Sequence, residues 1–182
     1  MNINIRKIGI RDISSLTKMY LSLSEDDKKY FHPFKFNKAS LMFMFTFFSI
    51  SNKINTLIKK ILPKYFVLSF IAVDDNETPL GFVYIYNLSK LADNHFWEAN
   101  DFGIVISEKY QGLRIGSKLI RKIIDSSASI NIKEINLTVL AENKSAIHLY
   151  KKFGFNLEKY HEKREFWDGK YYPDYDMNLK IH

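Results

Sequence analysis

The sequence contains no cysteine among its 182 residues. Disulfides, thiolate nucleophiles and cysteine metal sites are therefore excluded, and any chemistry must use hydroxyls, carboxylates, amines and backbone groups. The histidines show no ligand spacing such as H-E-x-x-H; they are His32, His95, His148, His161 and His182. The sequence therefore predicts no metal site.

Leader-like segments and long apolar runs are also absent. The start, MNINIRKIGIRD, alternates Ile with polar residues and lacks the apolar block of a signal peptide. The most apolar run, LMFMFTFFSI at 41–50, has ten residues, whereas a membrane span needs roughly 20. Because this run is apolar on all sides, we expect it in the core rather than on a membrane surface. We therefore expect a cytoplasmic protein with no membrane partner.

The net charge is +7 at pH 7. A basic protein suits anionic partners, which include nucleic acid, acidic membranes and nucleotide cofactors. Lys and Arg are spread along the chain and no nucleic-acid-binding motif occurs, so we expect no nucleic-acid partner.

The periodicity of apolar residues predicts one domain over residues 1–182. Strands are predicted near 3–8, 64–73, 80–88, 96–106, 134–140, 156–164 and 170–181, the last two joined by a turn at Asp168-Gly169. Helices are predicted near 13–23, with Asp12 as its cap, and near 116–127 and 143–153. Residues 25–64 are an atypical apolar helical segment, one or two short helices broken by Pro33 and ended by Pro63.

This order of elements indicates an α+β fold. We expect a central mixed, largely antiparallel sheet of about six to seven strands, flanked by helices. Parallel pairing is expected where a helix intervenes between strands.

The stretch YQGLRIGSKLI, 110–120, stands at the predicted start of a helix. Free backbone amides at a helix start bind anions, and Gly112 and Gly116 would remove side-chain bulk there. The positive charge of Arg114 is unfavourable beside the positive end of the helix dipole, and an anion bound there would compensate for it. By itself the stretch is also compatible with an ordinary helix start on a basic surface.

A second stretch, LTVLAENKSAIHLYKKFGF at 137–155, ends a strand and opens a helix. It places the amide of Asn143 and the phenol of Tyr150 beside the first helix. Each residue also has a neutral interpretation, since Asn143 is a good helix cap and Tyr150 suits a core edge.

Together the two stretches resemble the GNAT superfamily of acyl-CoA-dependent N-acetyltransferases. The family's pyrophosphate loop, Q/R-x-x-G-x-G/A, is matched by QGLRIG at Gln111 and Gly116 and departs at Arg114, where a glycine is usual. A second family motif, V-x-x-x-N-x-x-A-x-x-x-Y-x-x-x-G-F, is matched by Val139, Asn143, Ala146, Tyr150, Gly154 and Phe155.

The resemblance implies direct acetyl transfer from acetyl-CoA, as co-substrate, to a primary amine. It assigns the pantetheine arm to Ile104, Val105 and Ile106. It assigns the pyrophosphate to the loop Gln111, Gly112, Leu113, Arg114, Ile115, Gly116 and Ser117. Asn143 would hold the cofactor arm or orient its helix, and Tyr150 would be the general acid. The phenol's ordinary pKa of about 10 is close to a thiol's roughly 8.5.

The general base and the acceptor are less defined. Glu98 and Asp101 lie where the family often places a carboxylate, and Asp101 is the better candidate; either could instead be a solvated strand residue. Peptide N-termini, aminoglycosides, polyamines and amino sugars all remain open as acceptors. A homodimer is a further expectation, because family members often dimerise. Arg114 motivates an alternative, a non-catalytic acyl-CoA-binding or regulatory module.

Overall fold

The computed structural model describes residues 2–31, 37–61, 66–87 and 101–181. The strands in these residues are β1 (Asn4–Lys7), β2 (Phe66–Val73), β3 (Pro79–Asn87), β4 (Asp101–Ile106), β5 (Glu134–Leu140), β6 (Asn156–Trp167) and β7 (Lys170–Lys180). The α-helices are α1 (Ile13–Leu21), α2 (Glu25–Tyr30), α3 (Lys38–Ile61), α4 (Ile115–Ser129) and α5 (Lys144–Lys152). One domain over residues 1–182 stays a prediction.

The strands form two sheets, ordered β1-β2-β3-β4 and β5-β7-β6. This confirms the α+β class with about six to seven strands flanked by helices. Every described pairing is antiparallel, so the expected parallel pairing is not seen. A helix between two strands permits a parallel ladder without requiring one. Here β4 and β5, which α4 connects, are edge strands of different sheets.

The segment after α1 differs from its prediction. It contains the short α2 and then one helix of 24 residues, α3, rather than one or two short helices. Pro33 and Pro63 lie outside the described residues. No glycine or proline occurs between Lys38 and Ile61, so nothing in the backbone chemistry interrupts the helix. In the described part of the chain, no helix is both long and apolar enough to cross a membrane.

The apolar run 41–50 contributes one face to the core, as expected, and exposes the other. Phe45 and Phe48 are fully buried, whereas Phe43 is 69% and Ile50 47% exposed. The reason is geometric: a helix packed on one side presents a single face to the core. That buried face packs with α1 and one side of the first sheet, where Phe45 meets Tyr20 and Phe82 edge to face at 5.3 and 5.4 Å.

A second apolar cluster fills the other side of the first sheet, together with α4, α5 and the second sheet. The two sheets therefore share one core although their neighbouring edges are not hydrogen bonded.

Asp12 does not cap α1 through its side chain. Its carboxylate accepts hydrogen bonds from both terminal nitrogens of Arg6, at 2.7 and 2.8 Å, and from the Gly9 amide at 2.8 Å. Asp12 is buried, and a buried carboxylate requires a charged partner. The Arg6 guanidinium outcompetes the amides of the helix start for this role.

The hairpin of β6 and β7 confirms the predicted turn. Asp168 and Gly169 have φ values of 46° and 75°. Two successive left-handed residues form a type I′ turn between the two strands. Asp-Gly is among the sequences that adopt this turn most readily.

Replacing Phe45 by alanine should lower the free energy of unfolding by about 3–5 kcal/mol, because it removes a fully buried ring. The matched control is Phe43→Ala on the outer face of the same helix, with an expected change within about 0.5 kcal/mol. Urea unfolding of both variants measures the difference. Equal losses would show that Phe45 is no more buried than Phe43.

Candidate active site

A cleft of about 490 Å³ opens where β4 and β5 separate. Its lining comes from the end of β4, the loop before α4, the end of β5, the start of α5 and α2. The lining residues that the sequence predicted are Ile104, Val105, Ile106, Gln111, Gly112, Arg114, Ile115, Gly116, Ser117, Asn143 and Tyr150. Leu113, also predicted, is 50% exposed and is not among the lining residues.

The β4 wall is formed by Ile104, Val105 and Ile106. These residues pair with Val83, Phe82 and Gly81 of β3 on one side of the strand. Because β4 is the edge of its sheet, its opposite side has backbone N–H and C=O groups free to bind an extended ligand. The position fits the predicted role in binding a pantetheine arm, whose amides need such partners.

The N-terminus of α4 also lines the cleft. The helix begins at Ile115, and Arg114 at the N-cap makes no side-chain capping bond. The first amide groups of an α-helix have no intrahelical acceptor. Ile115, Gly116 and Ser117 line the cleft, so this helix start offers it backbone N–H donors of the kind that bind anions.

Arg114 occupies a backbone conformation that suits glycine. Its φ and ψ are 59° and 17°, in the left-handed region, which costs about 1–2 kcal/mol for a residue with a Cβ. Gly112 is also left-handed, with φ 78°, and no atom lies within 4 Å of where its Cβ would stand. The loop thus keeps a glycine-type geometry while carrying a cation beside the free amides.

Gly116 has a packing role that the sequence did not show. A Cβ at this position would lie 3.1 Å from Leu149 Cδ2, which is tight for two carbon atoms. The absent side chain therefore lets α4 approach α5 closely.

Asn143 is the predicted helix cap. Its Oδ1 accepts hydrogen bonds from the Ala146 amide and the Ser145 hydroxyl, both at 3.1 Å. The Asn143 side chain therefore orients the start of α5 at the cleft.

Tyr150 lies on the buried face of α5 and is 7% exposed. Its ring packs against Phe102 at 5.8 Å and Phe155 at 5.7 Å. Burial raises the pKa of the Tyr150 phenol well above its usual value. The hydroxyl therefore stays protonated at all ordinary pH values, and it is a weaker acid than its ordinary pKa suggested. It remains a hydrogen-bond donor at the wall of the cleft.

The structure describes only one of the two predicted carboxylate residues. Glu98 lies outside the described residues. Asp101 begins β4, where its backbone stands opposite Tyr86. The assignment of a general base to either residue stays a prediction.

The sequence missed the contribution of α2 to the cleft. Asp27, Tyr30 and Phe31 line it together with the predicted residues, as do Thr138 and the exposed His148. The α2 sequence, EDDKKY, has no apolar periodicity, so no pattern in the sequence indicated that it would form a wall.

Thr138 connects the cleft to an ion-pair network on the second sheet. Arg164 Nη2 donates to Thr138 Oγ1 at 3.2 Å and bridges Asp174 at 2.7 Å and Asp176 at 2.6 Å. His161 Nε2 lies 2.7 Å from Asp176. Ligand atoms of His161, Asp174 and Asp176 lie within 4.8 Å of one another, close enough for a metal ion. Because Arg164 already pairs with both carboxylates and His161 with one of them, we assign this network a structural role.

The chain is similar in sequence to a known protein family. Residues 35–155 match the acetyltransferase (GNAT) family. The chain belongs to this family. The match covers both the cleft loop and the start of α5, so the resemblance of the two stretches is confirmed.

Curated relatives and a solved structure agree with the family. The chain is 33% identical over 78 residues to the L-amino acid N-acetyltransferase AaaT of Escherichia coli (strain K12), covering 42% of this chain and 48% of that protein. It is 31% identical over 106 residues to the spermidine N(1)-acetyltransferase of Vibrio cholerae, covering 58% of each. The chain thus spans about half the length of the curated relatives it matches. A phosphinothricin acetyltransferase from Sinorhizobium meliloti, solved with acetyl-CoA, superposes with a TM-score of 0.74 at 17% identity, covering 100% of this chain and 89% of that one.

Replacing Arg114 by glycine should raise the free energy of unfolding by up to about 1 kcal/mol, because glycine adopts the left-handed backbone without a steric cost. This corresponds to roughly 2–4 °C in Tm for a domain of this size. Arg114→Ala, which removes the same charge but keeps a Cβ, is the control and should gain less than Arg114→Gly. Thermal unfolding at fixed pH compares them. An equal gain in both variants would attribute the effect to charge instead of backbone conformation.

Proposed function

We propose that the protein transfers an acetyl group from acetyl-CoA directly to a primary amine. The observation that carries the proposal is the meeting of three features in one cleft. These are an edge strand with free backbone groups, an uncapped helix N-terminus beside Arg114, and the buried phenol of Tyr150. The curated relatives are N-acetyltransferases, and the Sinorhizobium structure holds acetyl-CoA, which supports the same assignment.

In this proposal the cleft residues bind the co-substrate along its length. Backbone groups of Ile104, Val105 and Ile106 hold the pantetheine arm. Amides of the loop from Gln111 to Ser117 hold the pyrophosphate, and Arg114 adds a charge-assisted contact. Asn143 orients α5 so that Tyr150 faces the thioester.

The reaction needs no covalent enzyme intermediate. The neutral amine attacks the thioester carbonyl, a carbon–nitrogen bond forms, and the carbon–sulfur bond breaks. The Tyr150 hydroxyl hydrogen bonds to the departing sulfur, and CoA leaves as a thiolate that takes a proton from water to become the thiol. The proton lost by the amine passes to Asp101 or Glu98, directly or through water. The raised pKa of Tyr150 makes its contribution chiefly that of a donor that stabilises charge on sulfur.

The acceptor class is tested most directly by an amine panel. One curated relative acts on L-amino acids and another on spermidine, so both kinds of amine belong in the panel, with amino sugars and peptide N-termini.

Cofactor binding is measured before the panel, by thermal unfolding of cofactor-free protein with acetyl-CoA, CoA or ATP. At ligand about 100-fold above Kd, we expect a gain of roughly 2.7 kcal/mol, or about 5–10 °C, for acetyl-CoA and CoA but not ATP.

Turnover then separates catalysis from binding alone. Release of CoA with at least one amine supports the transferase. Tight binding of acetyl-CoA without turnover on the whole panel would favour the non-catalytic acyl-CoA-binding module instead.

Replacing Tyr150 by phenylalanine should lower kcat by about 10²–10⁴-fold while leaving the Kd for acetyl-CoA unchanged, because only the hydroxyl is lost. The control is Tyr171→Phe on β7, which is 60% exposed and does not line the cleft. Steady-state kinetics and CoA titration of both variants provide the comparison. Full activity in Tyr150→Phe would rule out a role for the phenol in transfer.

A further inference from the structure

Helix α2 is held in place by polar contacts. It has six residues, and none of them is buried. A helix this short is not stable in water by itself, and α2 has no apolar face to anchor it. Its position over the cleft must therefore depend on the specific contacts that it makes with its surroundings.

Those contacts reach both walls of the cleft. On one side Lys29 forms an ion pair with Glu142, which immediately precedes Asn143, and its Nζ lies 4.7 Å from the ring centroid of Tyr172. On the other side the Gln111 side-chain nitrogen lies 3.5 Å from both carboxylate oxygens of Asp27, at the limit of a hydrogen bond. Helix α2 therefore spans the cleft from the loop before α4 to the loop before α5.

The ion pair is the stronger of the two attachments. The Lys29 side chain is only 14% exposed, while Glu142 is 43% exposed. The hydrogen bond from Lys29 to Glu142 raises the pKa of the lysine, so Lys29 remains charged throughout the physiological range. The Tyr172 ring adds a cation–π contact to the same ammonium group.

The C-terminal end of α2 is anchored differently. Phe31 directly follows the helix, is 6% exposed, and packs edge to face with Tyr20 at 5.3 Å and Tyr84 at 5.8 Å. Leu23, which is 5% exposed, packs in the same apolar cluster just before the helix begins. The six residues of the helix itself lie between these two anchors and can leave the cleft without exposing a core side chain.

Asp27 places a negative charge where an anion is expected. Its carboxylate neighbours Gln111, in the loop that precedes the free amides of α4. A pyrophosphate bound near Gln111 and the Asp27 carboxylate would repel each other.

We infer that α2 is a gate over the cleft and that the Lys29–Glu142 ion pair is its clasp. The clasp closes α2 across the acyl-CoA site and must open for the ligand to bind and to leave. This inference rests on the proposed function, because it takes acetyl-CoA or CoA to be the ligand of the cleft.

The clasp is tested first without ligand, by hydrogen exchange of the α2 amides. Lys29→Met removes the charge and keeps most of the side-chain length. It should speed exchange of the Lys28 and Phe31 amides, which bond to Ser24 and Asp27, by about two- to fivefold, the range for a partly exposed ion pair. Lys29→Arg should restore slow exchange. The matched control is Lys28→Met, whose lysine pairs at 2.8 Å with Glu25 inside α2.

The gate is tested by stopped-flow binding of CoA to the same four proteins. If the clasp closes the cleft, Lys29→Met raises the association and the dissociation rate constants together, each about two- to fivefold, with little change in Kd. Lys29→Arg should behave as wild type, and so should Lys28→Met. A merely structural role would raise dissociation alone.

The outcomes separate the two proposals. Unchanged exchange in Lys29→Met, or no rescue by Lys29→Arg, would overturn the clasp whether or not CoA binds. Altered exchange with unchanged CoA rates, or with faster dissociation only, would overturn the gate. If neither the wild type nor any variant binds CoA, the proposed function fails and the gate fails with it. The exchange data then still decide whether the Lys29–Glu142 clasp exists.

Discussion

The separation of β4 from β5 is the constraint on which the rest of the structure depends. Each strand is paired on one side only, with β3 or β7. The gap between them leaves backbone groups of β4 without a strand partner, and it brings the N-termini of α4 and α5 to the same opening. Were the two strands hydrogen bonded along their length, the sheet would be continuous and the cleft would be closed.

The cleft combines groups whose environments differ strongly. At the start of α4, backbone amides and Arg114 favour negative charge. On α5, the ring of Tyr150 is packed against Phe102 and Phe155, and burial keeps the phenol neutral. These two environments suit a ligand that has a charged part and an uncharged part.

The parts of the molecule also differ in how firmly they are held. Helices α3 and α4 bury apolar faces on opposite sides of the first sheet, so both belong to the stable core. Helix α2 has no buried residue and is held by the Lys29–Glu142 ion pair and by Phe31, which follows it. Elements held by few polar contacts are the ones that open at low free-energy cost. Among the described walls of the cleft, α2 therefore has the weakest attachment.

The sequence by itself determined the features that depend on neighbouring residues. These include the Asn143 cap, the Asp168-Gly169 turn, the alternation of β5, and the two family stretches, because local hydrogen bonds and φ preferences act over a few residues. Only the tertiary structure decided which face of α3 is buried and that Arg6 forms an ion pair with Asp12. It also decided that β4 and β5 separate and that α2 lies across the cleft. Each of these results from competition between residues far apart in sequence, which is settled by packing and by partnering of buried charge.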